Sequence, residues 1–140
     1  MKKDYFGDSY DLVKRFFAKT CEKVAPLYAH EYYIPNELRV RYTALTSIEM
    51  FGCRTKPSQR FGLILDPNTG IPLPDAKAQI LTRDHAPLSY IEKQFDELNP
   101  AYMICFDQCH DRHRGPLYRL PEQHEAKREF LLSKSIYLLF

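Results

Sequence analysis

Three aspartates directly follow stretches that read as strands: Asp8 after KDYFG (3–7), Asp66 after FGLIL (61–65) and Asp107 after AYMICF (101–106). If those strands share one parallel sheet, the three carboxylates line one edge of it, where clustered negative charge repels unless a cation or a shared proton holds it. Hard oxygen donors select Mg²⁺ or Mn²⁺, which makes Asp8, Asp66 and Asp107 candidate metal ligands and catalytic groups. The loop that follows Asp107 supplies the opposite charge. In QCHDRHRG, His110 could act at a phosphate oxygen, with Gln108, Arg112, His113 and Arg114 as substrate contacts, joined by Asn68 and Thr69 of the DPNTG turn. Phosphoryl chemistry needs both charge signs, one to hold the metal and one to hold the phosphate.

Each part of this constellation also has a plain structural use. Asp8 and Ser9 suit the start of a helix, with Asp11 favourable in its first turn. Asp66-Pro67-Asn68-Thr69-Gly70 has the residue types of a β-turn, and Asp107 or the 109–119 loop could simply be solvated. Cys105, Cys109, His110 and His113 invite zinc, but Cys105 lies inside a strand and the spacing matches no paired-ligand motif. Cys109 beside His110 and Arg112 has the neighbours of an activated thiol, although adjacent residues need not face each other.

The elements that must position these groups alternate between strand and helix. Leu12, Val13, Phe16, Phe17, Cys21 and Val24 recur at helical spacing over 9–24, predicting a helix that packs its Leu12, Phe16 and Phe17 face on a sheet. LYAHEYYI (27–34) reads as a strand ended by Pro35-Asn36. The segment 37–52 carries both periods, and its later part reads as helix. Ser89 and Glu92 predict a capping box for a helix carrying Ile91, Phe95 and Leu98, stopped by Asn99-Pro100. Pro121 suits the first turn of a helix running to about Lys134, with Ala126 and Phe130 inward, before the closing strand IYLLF. This alternation predicts a single α/β domain over 1–140, three-layer and Rossmann-like, with a mostly parallel sheet and helices on both faces. Ligands of such sheets bind beyond the carboxyl ends of the strands, near a switch in strand order.

Composition narrows the function classes. With 44% hydrophobic and 27% charged residues, the chain has the make-up of a folded domain rather than a disordered one. A net charge of +2 is too balanced to attract nucleic acid through the whole-protein field, so any nucleotide or nucleic-acid partner must be met locally, by the basic 109–119 loop. No apolar run reaches the ~18–20 residues of a membrane span, and MKKDYFGDSYD turns acidic too early for a secretory signal, which predicts a cytoplasmic protein with no membrane partner. The four cysteines are too sparse for a disulfide scaffold and read as reduced thiols.

Two resemblances add to this. LILDPNTG, a strand ending in Asp-Pro, resembles the Asp-Pro-Pro-Tyr loop of class I nucleic-acid amino-methyltransferases, which contacts the target base; here Asn68-Thr69 stand in place of Pro-Tyr, and GDSYD offers no glycine-rich cofactor turn. YFGDSYDLVKRF, LDPNTG and FDQ, in that order, resemble a set of uncharacterised bacterial proteins, a likeness that implies no activity. The expected function is a metal-dependent phosphoester hydrolase or nuclease-like enzyme acting on a nucleotide or nucleic acid. The alternatives are a non-catalytic module that binds a nucleotide or a protein, and a methyltransferase-like protein.

Overall fold

The structure of the protein, a computed structural model, describes residues 7, 9–52, 57, 59–72, 81–107, 120–132 and 137–139. The element order is α1 (Ser9–Cys21), β1 (Leu27–His30), two 3-10 turns (Glu31–Tyr33 and Asn36–Leu38), α2 (Arg39–Thr46), β2 (Glu49–Phe51), β3 (Gly62–Leu65), α3 (Leu88–Leu98), β4 (Tyr102–Phe106), α4 (Leu120–Leu132) and β5 (Tyr137–Leu139). Apart from Gly7, the strand expected at 3–7 lies outside the described residues. So do Asp8, Gln108, His110, Arg112, His113 and Arg114.

Local backbone chemistry sets several boundaries. The α2 helix stops at Ser47, whose φ of 62° is left-handed and whose N–H donates to the Thr43 carbonyl at 2.8 Å. Asn99 ends α3 in the same way, with φ 48° and its N–H on the Phe95 carbonyl at 2.9 Å, as Asn99-Pro100 predicted. The Ser89–Glu92 capping box does not form. Pro87 occupies the cap position of α3 in an extended conformation, so Ser89 is already the helix's second residue. Within 37–52 the order differs from the expected one: the helix, α2, takes the earlier part, and the later part, read as helix, ends in the strand β2. The strand expected over 27–34 is cut at His30, where the chain tightens into the first 3-10 turn.

The five strands form one sheet in the order β2-β1-β3-β4-β5. Every pairing is parallel, with Tyr28 opposite Leu63 and Leu63 opposite Met103. Parallel neighbours need crossover connections, and α2, α3 and α4 lie in three of them. The order reverses between β1 and β3, because the chain leaves β1 for β2 on one side and returns to β3 on the other. Side chains alternate along the strands. Leu63, Leu65, Met103 and Cys105 join Ile91 of α3 and Leu131 of α4 in one buried cluster. Ile64 and Ile104 join Leu27, Ala29 and Tyr42 in another, against which Phe17, Ala18 and Cys21 of α1 pack. No helix among the described residues is long and apolar enough to cross a membrane.

The face that α1 buries differs from the expected one. Asp11 and Lys14 are buried, while Leu12, Val13 and Phe16 are exposed, Phe16 at 63%. The helix is rotated so that Lys14, Phe17 and Cys21, one stripe at i, i+3 and i+7, turn toward the sheet. Its inward charge is held by a network at the strand ends. A similar exchange occurs in α4, where Ala126 is exposed and Lys127 takes the inward position one turn before Leu131.

Candidate functional site at the carboxyl edge of the sheet

Neighbouring parallel strands bring their carboxyl ends to one edge, and Leu65 of β3 lies opposite Cys105 of β4. Asp66 and Asp107 therefore emerge at the same edge, as the sequence predicts. Both are buried, at 4% and 2% exposure. A buried carboxylate must be matched by charge or hydrogen bonds, and each has a lysine.

Lys14 of α1 places its Nζ 2.7 Å from Asp66 Oδ2 and 3.0 Å from Asp11 Oδ1. Asp11 Oδ2 also accepts the Gly7 N–H at 2.8 Å, which ties the chain entering α1 to the network; Gly7 has φ +87°, a conformation suited to glycine. The ammonium sits over two rings, 5.3 Å from the centroid of Phe106 and 5.7 Å from that of Tyr42. Burial by itself would lower the Lys14 pKa, but the charges of Asp66 and Asp11 and their hydrogen bonds outweigh it and hold the group above its ordinary value. The lysine is a fixed cation. Tyr42 is fully buried, and burial first, then the nearby charges of Asp66 and Asp11, push its hydroxyl well above the ordinary range, so it stays a phenol.

Lys127 of α4 makes the second pair, with Nζ 3.0 Å from Asp107 Oδ2 and 3.3 Å from Oδ1. Asp107 Oδ1 also accepts the Ile71 N–H at 2.8 Å, so the loop leaving β3 is tied to the end of β4. Beside this pair, burial and then the charges of Asp107 and Asp66 push the Cys105 thiol well up despite the opposing effect of Lys127. Cys105 is core.

Asn68 and Thr69 belong to a loop spliced to residues 82–86. Asn68 Nδ2 donates to Asp84 Oδ1 at 2.7 Å, the N–H groups of Asn68 and Thr69 donate to the carbonyls of Arg83 and Asp84, and Gly70 bridges to His85. Two buried atoms there, Asn68 Oδ1 and His85 Nδ1, have no hydrogen-bond partner among the described residues. At the end of β1, His30 Nδ1 accepts the Tyr32 N–H at 3.2 Å, which leaves Nε2–H to donate to Gln94 Oε1 at 3.2 Å. Burial lowers the His30 pKa, outweighing Gln94 and Glu31, and the ring is neutral.

No protein-family model, curated protein or solved structure matches the chain. The chemistry is therefore read from the geometry alone. The described residues do not fit a divalent cation at this edge: each carboxylate is already engaged by an ammonium, Lys14 being shared by Asp11 and Asp66, and no group of three His, Cys, Asp or Glu among them is placed to hold a metal. A cation bridging Asp66 and Asp107 would first have to displace Lys14 and Lys127. A cavity of about 240 Å³ lies elsewhere, lined by residues that include Leu27, Tyr28, Ser47 and Glu49, at the amino ends of β1 and β2. The 66–72 loop and Asp107 do not line it.

Sequence reading missed Lys14, Asp11, Lys127 and His30. A signal existed for the lysines, since Lys14 shares a helical stripe with Phe17 and Cys21, and Lys127 is one turn from Leu131. Assigning charge to the solvent side by default hides such positions.

Proposed function

We propose that the chain is a three-layer, Rossmann-like domain that binds a nucleotide or another phosphate-bearing ligand at the carboxyl edge of its sheet, without metal-dependent turnover. The observation that carries this reading is the pairing of Asp66 and Asp107 with Lys14 and Lys127 inside the fold. Three unpaired carboxylates would repel a phosphate; carboxylates paired inside the fold do not. Two further features support the edge as the binding place. The strand order reverses between β1 and β3, where open α/β sheets receive ligands. The segment that carries His110, Arg112, His113 and Arg114 follows Asp107 directly in sequence.

The test is calorimetric titration of the protein with ATP, GTP and a short oligonucleotide, in EDTA and again with Mg²⁺. Saturable binding in EDTA, weakened by replacing Arg112 and Arg114 with Ala, supports the reading. Absence of binding by all three ligands rejects it.

A second reading is a Mg²⁺- or Mn²⁺-dependent phosphoesterase with Asp8, Asp66 and Asp107 as ligands and His110 on the phosphate. The common edge of Asp66 and Asp107 favours it; it requires both lysines to leave their carboxylates. Hydrolysis of a nucleotide or oligonucleotide that appears only with Mn²⁺ or Mg²⁺ would establish it over the first. The methyltransferase-like reading of the Asp66 loop gains no support, because the Asn68 and Thr69 N–H groups and the Asn68 amide are engaged with residues 83–84.

A further inference from the structure

His30 is the last residue of β1 and the cap of the first 3-10 turn, so one side chain joins an inner strand of the sheet to the segment that leaves it. The residue is buried, 3% exposed. Its Nδ1 accepts the Tyr32 N–H at 3.2 Å, and its Nε2 faces Gln94 Oε1 at 3.2 Å and the Tyr90 hydroxyl at 3.5 Å, both on α3. Because a backbone N–H can only donate, Nδ1 must be bare and the proton of the neutral ring sits on Nε2. An imidazolium has no bare nitrogen to offer.

A proton on Nδ1 would set two N–H donors against each other at hydrogen-bond distance and place a charge where water does not reach. Something beside the ring then has to move. The His30 backbone is fixed, paired with Phe51 in the sheet, and α3 is anchored by Ile91, which is fully buried. The turn is only three residues long. It is held a second time by Arg39, whose guanidinium donates to the Glu31 carbonyl at 3.1 Å and the Ile34 carbonyl at 3.2 Å and pairs with Glu31 Oε2 at 3.0 Å. None of those bonds depends on the protonation of His30.

We propose that His30 is an acid-sensitive latch: a proton taken up at Nδ1 releases the Tyr32 N–H and opens the first 3-10 turn at the carboxyl end of β1, while the sheet and the Arg39 contacts stay in place. Around the ring stand Tyr33 of the turn, Phe51 of β2, and Tyr90 and Gln94 of α3. Burial lowers the ring's pKa from its ordinary 6.5, outweighing the Gln94 hydrogen bond and the charge of Glu31, which is itself paired with Arg39. The latch is therefore closed above about pH 6.5 and opens as pH falls below it. Opening alters the carboxyl edge beside the place where strand order reverses, and it requires no ligand there.

The test is NMR of the ¹⁵N-labelled full chain, titrated from about pH 8 to about pH 5. At the upper end the ring nitrogens should show the neutral Nε2–H tautomer. On acidification the ring should titrate with a midpoint below 6.5, and the Tyr32 amide shift should follow the same midpoint. Protection of the Tyr32 amide against hydrogen exchange, corrected for the intrinsic effect of pH, should fall by roughly tenfold or more, with the Leu63 and Ile64 amides still protected. His30→Asn supplies a cap oxygen that does not titrate, and it should hold the Tyr32 amide protected over the whole range. If that variant folds poorly, the wild-type titration still decides. A ring that titrates with no change at Tyr32, or that stays neutral down to about pH 5, overturns the latch. So does a loss at Tyr32 that accompanies loss at Leu63 and Ile64, which is global unfolding, or one that persists in folded His30→Asn protein, where another group must drive it.

Discussion

Replacing Lys14 with Met retains most of the side chain's length and removes its charge. In the native protein the Lys14 side chain is 5% exposed and those of Asp11 and Asp66 are 1% and 5%, so solvent cannot take over the role of the ammonium. The substitution breaks contacts of 3.0 and 2.7 Å and leaves two carboxylates facing each other in the interior. Breaking a buried pair by removing one partner costs about 3–5 kcal/mol, and the two ring contacts add about 0.5–2 kcal/mol. Against a typical total stability of about 5–15 kcal/mol, the variant should sit near its limit. Urea unfolding followed by circular dichroism would show the midpoint falling by about 2 M for a slope of about 2 kcal/mol/M.

Two controls give the mechanism a chance to fail. Adding Asp66→Asn to Lys14→Met should recover about 1–3 kcal/mol, since it removes one of the facing charges. Because the Lys14 pKa is raised in the folded state, its stabilisation is fully present below the ordinary value of 10.5 and is lost as pH rises through the folded value. The gap between wild type and variant should therefore narrow above about pH 10.5. A Lys14→Met variant within about 1 kcal/mol of wild type, or a double variant as unstable as the sum of its parts, would refute the account of the network.

Other substitutions probe separate parts of the fold. Lys127→Met should cost a similar ~3–5 kcal/mol in the same urea assay, because it strips the ammonium from fully buried Asp107. Gly62→Ala would put a methyl group into the Tyr102 ring, whose hydroxyl is anchored on the Ala25 carbonyl at 2.8 Å; a loss of about 1–3 kcal/mol in thermal unfolding is expected. His30 is held neutral, so its contribution is fully present above its ordinary value of 6.5 and falls as pH drops below that; His30→Gln should flatten the pH dependence of stability between about pH 5 and 7. Ser47→Gly, at φ 62°, should stabilise by about 0.5–1 kcal/mol, and a lower melting point would show that the Ser47 side chain matters more than its backbone strain.

The strands FGLIL and AYMICF were legible because strands covered on both faces read as unbroken apolar runs. Asn99-Pro100 was legible because its chemistry is local. The α1 helix was legible as an element and misread in orientation: its apolar period is real, but which stripe faces inward was decided by Asp66, 52 residues from Lys14. The place of Lys14 in the Phe17 and Cys21 stripe is a local pattern, but its pairing with Asp66 is not. Ser89 and Glu92 likewise have the spacing of a cap, and Pro87 preempts it by starting the helix earlier. For the candidate site, the shared edge of Asp66 and Asp107 followed from parallel pairing, whereas the lysines that neutralise them did not follow from any motif.

Every strand pairing described is parallel, so no strand meets its neighbour through a tight turn. Each rung of the sheet must wait for an intervening stretch of chain to be brought round, and that closure entropy is spent before any ladder forms. Folding should accordingly be slow for a domain of this length. The same connectivity orders how the sheet comes apart: β2 and β5 each have one neighbour, while β3 is held on both flanks by β1 and β4. In native-state hydrogen exchange, the amides of Leu63, Ile64 and Leu65 should be among the last to open, at a free energy close to that of global unfolding. Since Asp66 follows directly on β3, its carboxylate should be carried by one of the last strands to open.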